Sequence, residues 1–150
     1  PDPYIKMIGA EFVAHDKQQE ATIRITSKFP GAAAHLPGDS SFSLLDEWYA
    51  QRHYADDMHV ILAQDGKGME GTMYQRPPFP STWARKHGKG RVFFTAMGHR
   101  EDVWTHATFQ QILLGGIAWA LGNVDAQIPP NITKATPQAE ELPSSCSVNI

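Results

Sequence analysis

The sequence predicts an α/β fold built on a parallel β-sheet, and three stretches support that prediction. Residues 91–97 form a short, mostly apolar run with little alternation, and residues 58–64 form a second. Such runs are typical of strands buried on both faces beneath helices. Apolar residues then recur at helical spacing over 109–120, which predicts an amphipathic helix after the strand at 91–97. A strand, a turn and a helix make half of a βαβ unit, and such units form parallel sheets.

The remaining elements follow in chain order. Residues 21–26 alternate with period two and are β-branched, which predicts a strand near a sheet edge. Residues 28–40 hold two prolines and two glycines and are predicted to be a loop. Residues 42–49 fit either a strand that ends in an acidic pair or one helical turn. Residues 73–80 contain three prolines, so we expect an extended segment outside any central strand or helix.

The end of the domain is predicted near residue 123. Thr105 is the expected N-cap of the helix, and Gly122 is the expected residue just after its last turn. Residues 124–150 hold four prolines and no periodicity. We therefore expect a domain over residues 1–123 and an extended or poorly structured tail over 124–150.

Composition excludes several classes of function. A chain of 150 residues with a net charge of −3 and no Lys/Arg cluster is not expected to bind nucleic acid or a membrane surface. No apolar run approaches the roughly 20 residues of a membrane-spanning helix. The single cysteine, Cys146, excludes an internal disulfide and a cysteine-based zinc cluster, and it leaves the cellular compartment open.

The sequence predicts fewer helices than a complete parallel sheet requires. About four strands and one long helix are predicted, whereas a parallel sheet needs a crossover of a dozen or more residues between successive strands. The sequence thus indicates the C-terminal part of a larger α/β domain. We expect the missing N-terminal part, a second chain or a homo-oligomer to cover the apolar surface that such a part exposes.

The first candidate site follows the strand at 91–97. In open α/β sheets, ligands bind beyond the carboxyl ends of the strands, and His99, Arg100 and Glu101 lie there. A carboxylate beside an imidazole fixes its tautomer for acid–base catalysis, which makes His99 and Glu101 catalytic candidates and Arg100 a substrate-binding candidate. The alternative is that these residues only end a turn and place negative charge near a helix N-terminus.

A second candidate group combines acidic and aromatic residues. Asp46 and Glu47 can accept hydrogen bonds from sugar hydroxyls, and Trp48 and Tyr49 can stack on a sugar ring. Glu47 is the third catalytic candidate, and Trp83 is a candidate wall of the substrate pocket. The alternative is that the aromatic residues pack in the core and the acids face solvent.

Two histidines are candidate metal ligands. His15 and His99, together with Glu47, would supply two imidazoles and a carboxylate to zinc if their loops converge. No local HxH or HExxH spacing supports this reading.

Several motifs resemble one known family. Ile8-Gly9-Ala10-Glu11-Phe12 with His15, Asp46-Glu47-Trp48-Tyr49, and the stretch from Gly88 through His99 to Ala120 are similar to the ThuA-like (trehalose-utilisation) domain. That domain belongs to the class I glutamine amidotransferase-like, flavodoxin-like superfamily. The resemblance implies a flavodoxin-like fold and a role in carbohydrate utilisation, with a trehalose-type sugar as the ligand. Amidotransferases of this superfamily use Cys-His-Glu, but Cys146 lies in the tail, so the resemblance does not extend to cysteine-dependent amide transfer.

Three functions remain open at this point. The first is a sugar-processing hydrolase or related enzyme acting at the strand ends. The second is a non-catalytic sugar-binding or interaction module. The third is a metal-dependent hydrolase.

Overall fold

The computed structural model describes residues 2–33 and 41–143. The α-helices within these residues are α1 (Pro3–Ile8), α2 (Ala107–Ala120) and α3 (Ile132–Ala135), with 3₁₀ helices at Thr72–Tyr74 and Glu101–Thr105. The strands are β1 (Glu11–His15), β2 (Gln19–Ile25), β3 (Ser41–Asp46), β4 (Tyr49–Arg52), β5 (His59–Asp65), β6 (Phe79–His87) and β7 (Gly90–Thr95). No helix in the described part of the chain is long and apolar enough to cross a membrane.

The described strands form two antiparallel sheets, so the predicted parallel, flavodoxin-like sheet is wrong. One sheet has the order β3-β2-β5-β6-β7, and β1 pairs with β4 in the other. The β6–β7 connection explains the direction. His87 pairs with Gly90, and Gly88 has a φ of 57°. A connection of two residues makes a hairpin, whereas parallel neighbours need a long crossover.

The predicted strands exist, but two of them occupy other places in the sheet. The run at 58–64 is β5, which lies in the middle of the sheet and is buried from His59 to Gln64. The run at 91–97 contains β7, which is a half-buried edge strand and not a central one. The alternating run at 21–26 is β2, which has a neighbour on each side. Residues 42–49 follow the strand alternative, because β3 ends at Asp46.

An inner strand begins within the proline-rich segment, contrary to the prediction for residues 73–80. Pro80 lies in β6 and pairs with Ala63 of β5, where the register between the two strands shifts. A local irregularity of this kind accommodates a residue that cannot donate a ladder hydrogen bond.

Helix α2 covers part of one face of the sheet. It buries residues at spacings of three and four: Phe109, Ile112, Gly116 and Trp119. The N-cap is His106 and not Thr105, whose hydroxyl donates instead to the Asp102 carbonyl over 2.9 Å. Gly122 follows the last turn with a φ of 81°, as predicted.

The segment after α2 also packs against the strands. The Asn131 side chain accepts from the Val60 N–H over 2.6 Å and donates to the Val60 carbonyl over 3.0 Å. The Glu140 carboxylate accepts from the N–H groups of His53 and Tyr54. These contacts fix residues 129–140 against β5 and the end of β4. Cys146 lies outside the described residues.

Candidate functional site

The two sheets meet where the chain passes twice from one to the other. The first passage joins His15, at the end of β1, to Gln19 at the start of β2. The second joins Asp46, at the end of β3, to Tyr49 at the start of β4. His15 pairs with Tyr49, and Gln19 pairs with Asp46, so the two passages run side by side. Glu47 lies in the second passage.

One carboxylate oxygen lies between two imidazoles at this junction. Glu47 Oε1 is 3.3 Å from His99 Nδ1 and 3.6 Å from His15 Nδ1. The Glu47 side chain is 15% exposed, whereas those of His15 and His99 are 46% and 42% exposed. Tyr49 Oη is 3.4 Å from the same His99 nitrogen. Four titratable groups thus share one site, and its two histidines are exposed to a ligand.

Aromatic side chains flank these groups. Phe12 is 51% exposed and contacts the Tyr49 ring edge to face, with centroids 5.2 Å apart. The His15 ring is 6.3 Å from Phe12 and 6.0 Å from Tyr49. Burial raises the pKa of the Tyr49 hydroxyl, and the charges of Glu47 and Asp46 add to the effect. Tyr49 therefore stays protonated at neutral pH and can donate a hydrogen bond.

A bulge in β1 brings Phe12 and His15 together. The register of β1 against β4 shifts between Phe12 and Ala14. Regular alternation would place Phe12 and His15 on opposite faces of the strand, because they are three residues apart. The extra residue restores them to one side, as bulges beside functional sites commonly do.

Asp46 brings His99 to the site. Its carboxylate is fully buried and accepts three backbone N–H groups: Gly98 at 2.7 Å, Arg100 at 2.9 Å and Glu47 at 2.9 Å. The loop after β7 is thereby held against the end of β3, at the opposite edge of the five-stranded sheet. Gly98 turns the chain there with a φ of 105°, a conformation that residues with a side chain rarely adopt.

His99 and four other residues line an open polar cleft of about 610 Å³: Gln18, Arg100, Glu101 and Asp102. The Arg100 guanidinium binds both Asp102 carboxylate oxygens, at 2.9 and 3.0 Å, and also the Gln18 side chain. Glu101 is exposed and makes no hydrogen bond or ion pair with His99 within the described residues. The carboxylate beside His99 is that of Glu47.

Both candidate tryptophans lie in the core. Trp48 is fully buried, and its Nε1–H donates to the Gln19 carbonyl over 2.9 Å. Trp83 is also fully buried, donates to the Ile8 carbonyl over 2.7 Å and stacks on Phe94. Neither indole is accessible to a ligand in this structure. In residues 2–33 and 41–143, no three His, Cys, Asp or Glu side chains are grouped so that they could hold a metal ion. The arrangement of His15, Glu47 and His99 offers three groups that can exchange protons.

The sequence of this junction matches one protein family. The family model described as "Trehalose utilisation" (ThuA) matches residues 1–120, which is most of the chain. The chain belongs to the ThuA family. The resemblance drawn from the motifs is thus confirmed, and the site described above lies within the part of the chain that matches ThuA.

Two solved structures have a similar fold. A ThuA-like protein from Bacteroides uniformis ATCC 8492 is 19% identical, with a TM-score of 0.62 over 84% of this chain and 54% of that one. A ThuA-like protein from Parabacteroides merdae ATCC 43184 is 22% identical, with a TM-score of 0.53 over 79% of this chain and 43% of that one. The chain thus spans about half the length of these relatives. A comparison with curated proteins found no match.

Two residues of the site are not predicted by the sequence pattern. Phe12 belongs to one of the family motifs, but the bulge that aligns it with His15 leaves no signal in the sequence. Tyr74 lies in the proline-rich stretch and is buried beneath the junction. Its hydroxyl accepts from the Asp16 N–H over 3.0 Å and donates to the Trp48 carbonyl over 2.5 Å.

Proposed function

We propose that this ThuA-family chain processes a carbohydrate of the trehalose type at the junction of its two sheets. Glu47 and His99 transfer a proton to or from the bound sugar, and His15 holds or relays that proton. Phe12 and Tyr49 contact the sugar ring. The family description supports a trehalose-type ligand, and the chemistry of the junction supports proton transfer.

The observation that supports this proposal is the position of one carboxylate oxygen within 3.6 Å of two imidazoles. A mostly buried carboxylate beside a histidine fixes the tautomer and orientation of the ring, and an oriented imidazole is the commonest general acid or base in enzymes. Both histidines remain more than 40% exposed and so can meet a substrate.

The surroundings suit a sugar. The exposed Phe12 ring offers an apolar face, and the Tyr49 hydroxyl and the Glu47 carboxylate offer a donor and an acceptor nearby. Ligand sites combine apolar surface with a few placed polar groups in this way. The polar cleft beyond His99 has room for further hydroxyl groups.

The test separates catalysis from binding. Purified protein is incubated with trehalose and a panel of other disaccharides and their oxidised forms, and the products are followed by chromatography while calorimetry measures binding. Glu47→Gln keeps the side-chain shape and removes the charge, so we expect turnover to fall by about 10²-fold or more with sugar affinity little changed. Phe12→Ala is expected to weaken affinity.

Glu20→Gln is the matched control, since Glu20 is an exposed glutamate on β2 outside the junction. It should leave turnover and affinity at the wild-type level. Wild-type turnover in Glu47→Gln would refute the catalytic role. Sugar binding without turnover in the wild type would favour the binding module instead, and an absence of binding across the panel would refute the carbohydrate proposal as a whole.

A further inference from the structure

We infer that Asp46 and Tyr74 are the positioning residues of this site, each joining two of the three chain segments that carry His15, Glu47 and His99. The inference deepens the proposed function and rests on it for its catalytic consequence. Neither side chain is exposed: Asp46 is 0% and Tyr74 is 1% accessible. Both therefore act on the site through the groups that they bind.

Asp46 joins the Glu47 segment to the His99 segment. Its carboxylate binds the backbone N–H on each side of His99, through Gly98 and Arg100, and also the N–H of Glu47. The backbone of His99 is thus fixed at both neighbours relative to the residue that bears the central carboxylate. Hydrogen bonds to an ionised acceptor are stronger than neutral ones, and the three donors here reach both oxygens of the buried carboxylate.

Tyr74 joins the His15 segment to the Glu47 segment. Its hydroxyl accepts from the N–H of Asp16, the residue after His15, and donates to the carbonyl of Trp48, the residue after Glu47. One buried oxygen thus spans the two passages between the sheets. His15 also pairs with Tyr49 in the sheet, and its Nδ1 lies 3.2 Å from the Asp16 carbonyl oxygen. The Tyr74 hydroxyl adds a buried link to Asp16, so it holds the backbone that positions the His15 ring.

Asp46 and Tyr74 act on different histidines, so each can be tested separately. Asp46 touches the His99 side of the junction and Tyr74 the His15 side, and they share only the segment at Glu47. Loss of Asp46 should displace His99 while His15 keeps its place. Loss of the Tyr74 hydroxyl should displace His15 while His99 keeps its place. A residue that only stabilised the fold would disturb both histidines or neither.

The experiment uses the full chain without sugar, so its outcome is independent of whether the proposed substrate is right. Side-chain nitrogen–proton NMR spectra at fixed pH are recorded for the wild type, Asp46→Asn and Tyr74→Phe, with His15 and His99 assigned from single His→Ala spectra. Asp46→Asn is isosteric and sets an NH₂ group against one of the N–H donors. Tyr74→Phe keeps the buried ring. His87, exposed in the β6–β7 hairpin, is the internal control.

We expect the His99 signals to move in Asp46→Asn with those of His15 unchanged, and the His15 signals to move in Tyr74→Phe with those of His99 unchanged. Shifts of both histidines in both variants, or of neither in either, would overturn the inference. If Asp46→Asn fails to fold, amide hydrogen exchange on the wild type tests the role of Asp46. The Gly98 and Arg100 N–H groups should be protected from exchange, and rapid exchange would refute that role.

The catalytic consequence is tested on the same variants. A displaced catalytic group lowers kcat by about 10²-fold for a movement on the order of 1 Å, with KM little affected. Wild-type kcat in a variant whose histidine signals have moved would overturn the positioning role. If the wild type turns over no sugar, the proposed function fails, while the NMR result still decides the two anchors.

Discussion

Substitution of Gly98 by alanine tests how the loop after β7 places His99. Gly98 has a φ of 105°, and a Cβ atom there would lie 3.2 Å from Phe109 Cζ. A positive φ costs a residue with a side chain about 1–2 kcal/mol. The Gly98 N–H also donates to the Asp46 carboxylate over 2.7 Å. If the loop moves to relieve the strain, that charged hydrogen bond is lost at a cost of about 1.5–3 kcal/mol.

The two costs are alternatives, because the loop either keeps the strain or moves and loses this hydrogen bond, so we expect a loss of about 2 kcal/mol in the free energy of unfolding. For a domain of this size, that corresponds to a Tm lower by roughly 4–8 °C. Urea denaturation measures the free energy, and thermal unfolding followed by circular dichroism measures the Tm. The His99 side-chain NMR signals should move in the same variant.

Gly68→Ala is the matched control. Gly68 also has a positive φ, of 84°, but a Cβ atom there would meet nothing within 4 Å. This variant should lose only the cost of a positive φ, about 1 kcal/mol in the free energy of unfolding, and leave the His99 signals in place. If Gly98→Ala costs no more than Gly68→Ala, or leaves His99 undisturbed, the loop does not depend on this conformation and the reasoning is wrong.

Three further predictions concern packing, pH and association. Gly115→Ala should destabilise the protein in urea by about 1–3 kcal/mol, since the new Cβ would lie 2.1 Å from the Pro30 carbonyl oxygen; a gain, as helix propensity alone predicts, would contradict the packing. The hydrogen bond from Arg52 is the main cause that lowers the pKa of Glu11 below its usual 4.5. The stabilisation from the Glu11–Arg52 pair is therefore present above pH 4.5 and is lost as the pH falls through the lower pKa of folded Glu11. Glu11→Gln should make the free energy of unfolding less dependent on pH in this acidic range. An unchanged dependence would show that the pair is not formed. Leu121, the residue after the uncharged helix α2, is 71% exposed, and the partner chain expected from the sequence would cover such a residue. Sedimentation equilibrium should then show a dimer that Leu121→Lys dissociates, and a monomer in both samples would contradict self-association.

The local hydrophobic pattern was enough to predict most of the strands, but it did not show whether neighbouring strands run parallel or antiparallel. The apolar runs in β5 and β7 are local features, and so is the helical spacing in α2. Whether neighbouring strands run parallel depends on how they connect. Residues 87–90 contained the deciding feature, since two residues between the paired His87 and Gly90 leave no room for a crossover. The mostly apolar run in β5 indicated burial on both faces, and an antiparallel sheet covered on both sides provides the same burial.

The candidate site was predictable in its residue types and less so in its contacts. His15, Glu47 and His99 were each singled out from the sequence, and the structure brings them together. The carboxylate beside His99 was expected to be Glu101, its near neighbour in sequence. It is Glu47, because Asp46 draws the loop across to the end of β3. That contact spans more than 50 residues of chain, and nothing in the local pattern encodes it.

The most direct test of the central claim is a titration of the wild-type protein with trehalose, followed by histidine side-chain NMR. The account predicts that the His15 and His99 signals move together with one dissociation constant, while those of His87 stay in place. Signals of His15 and His99 that ignore the sugar, or that move no more than those of His87, would contradict the claim that these residues form one carbohydrate site.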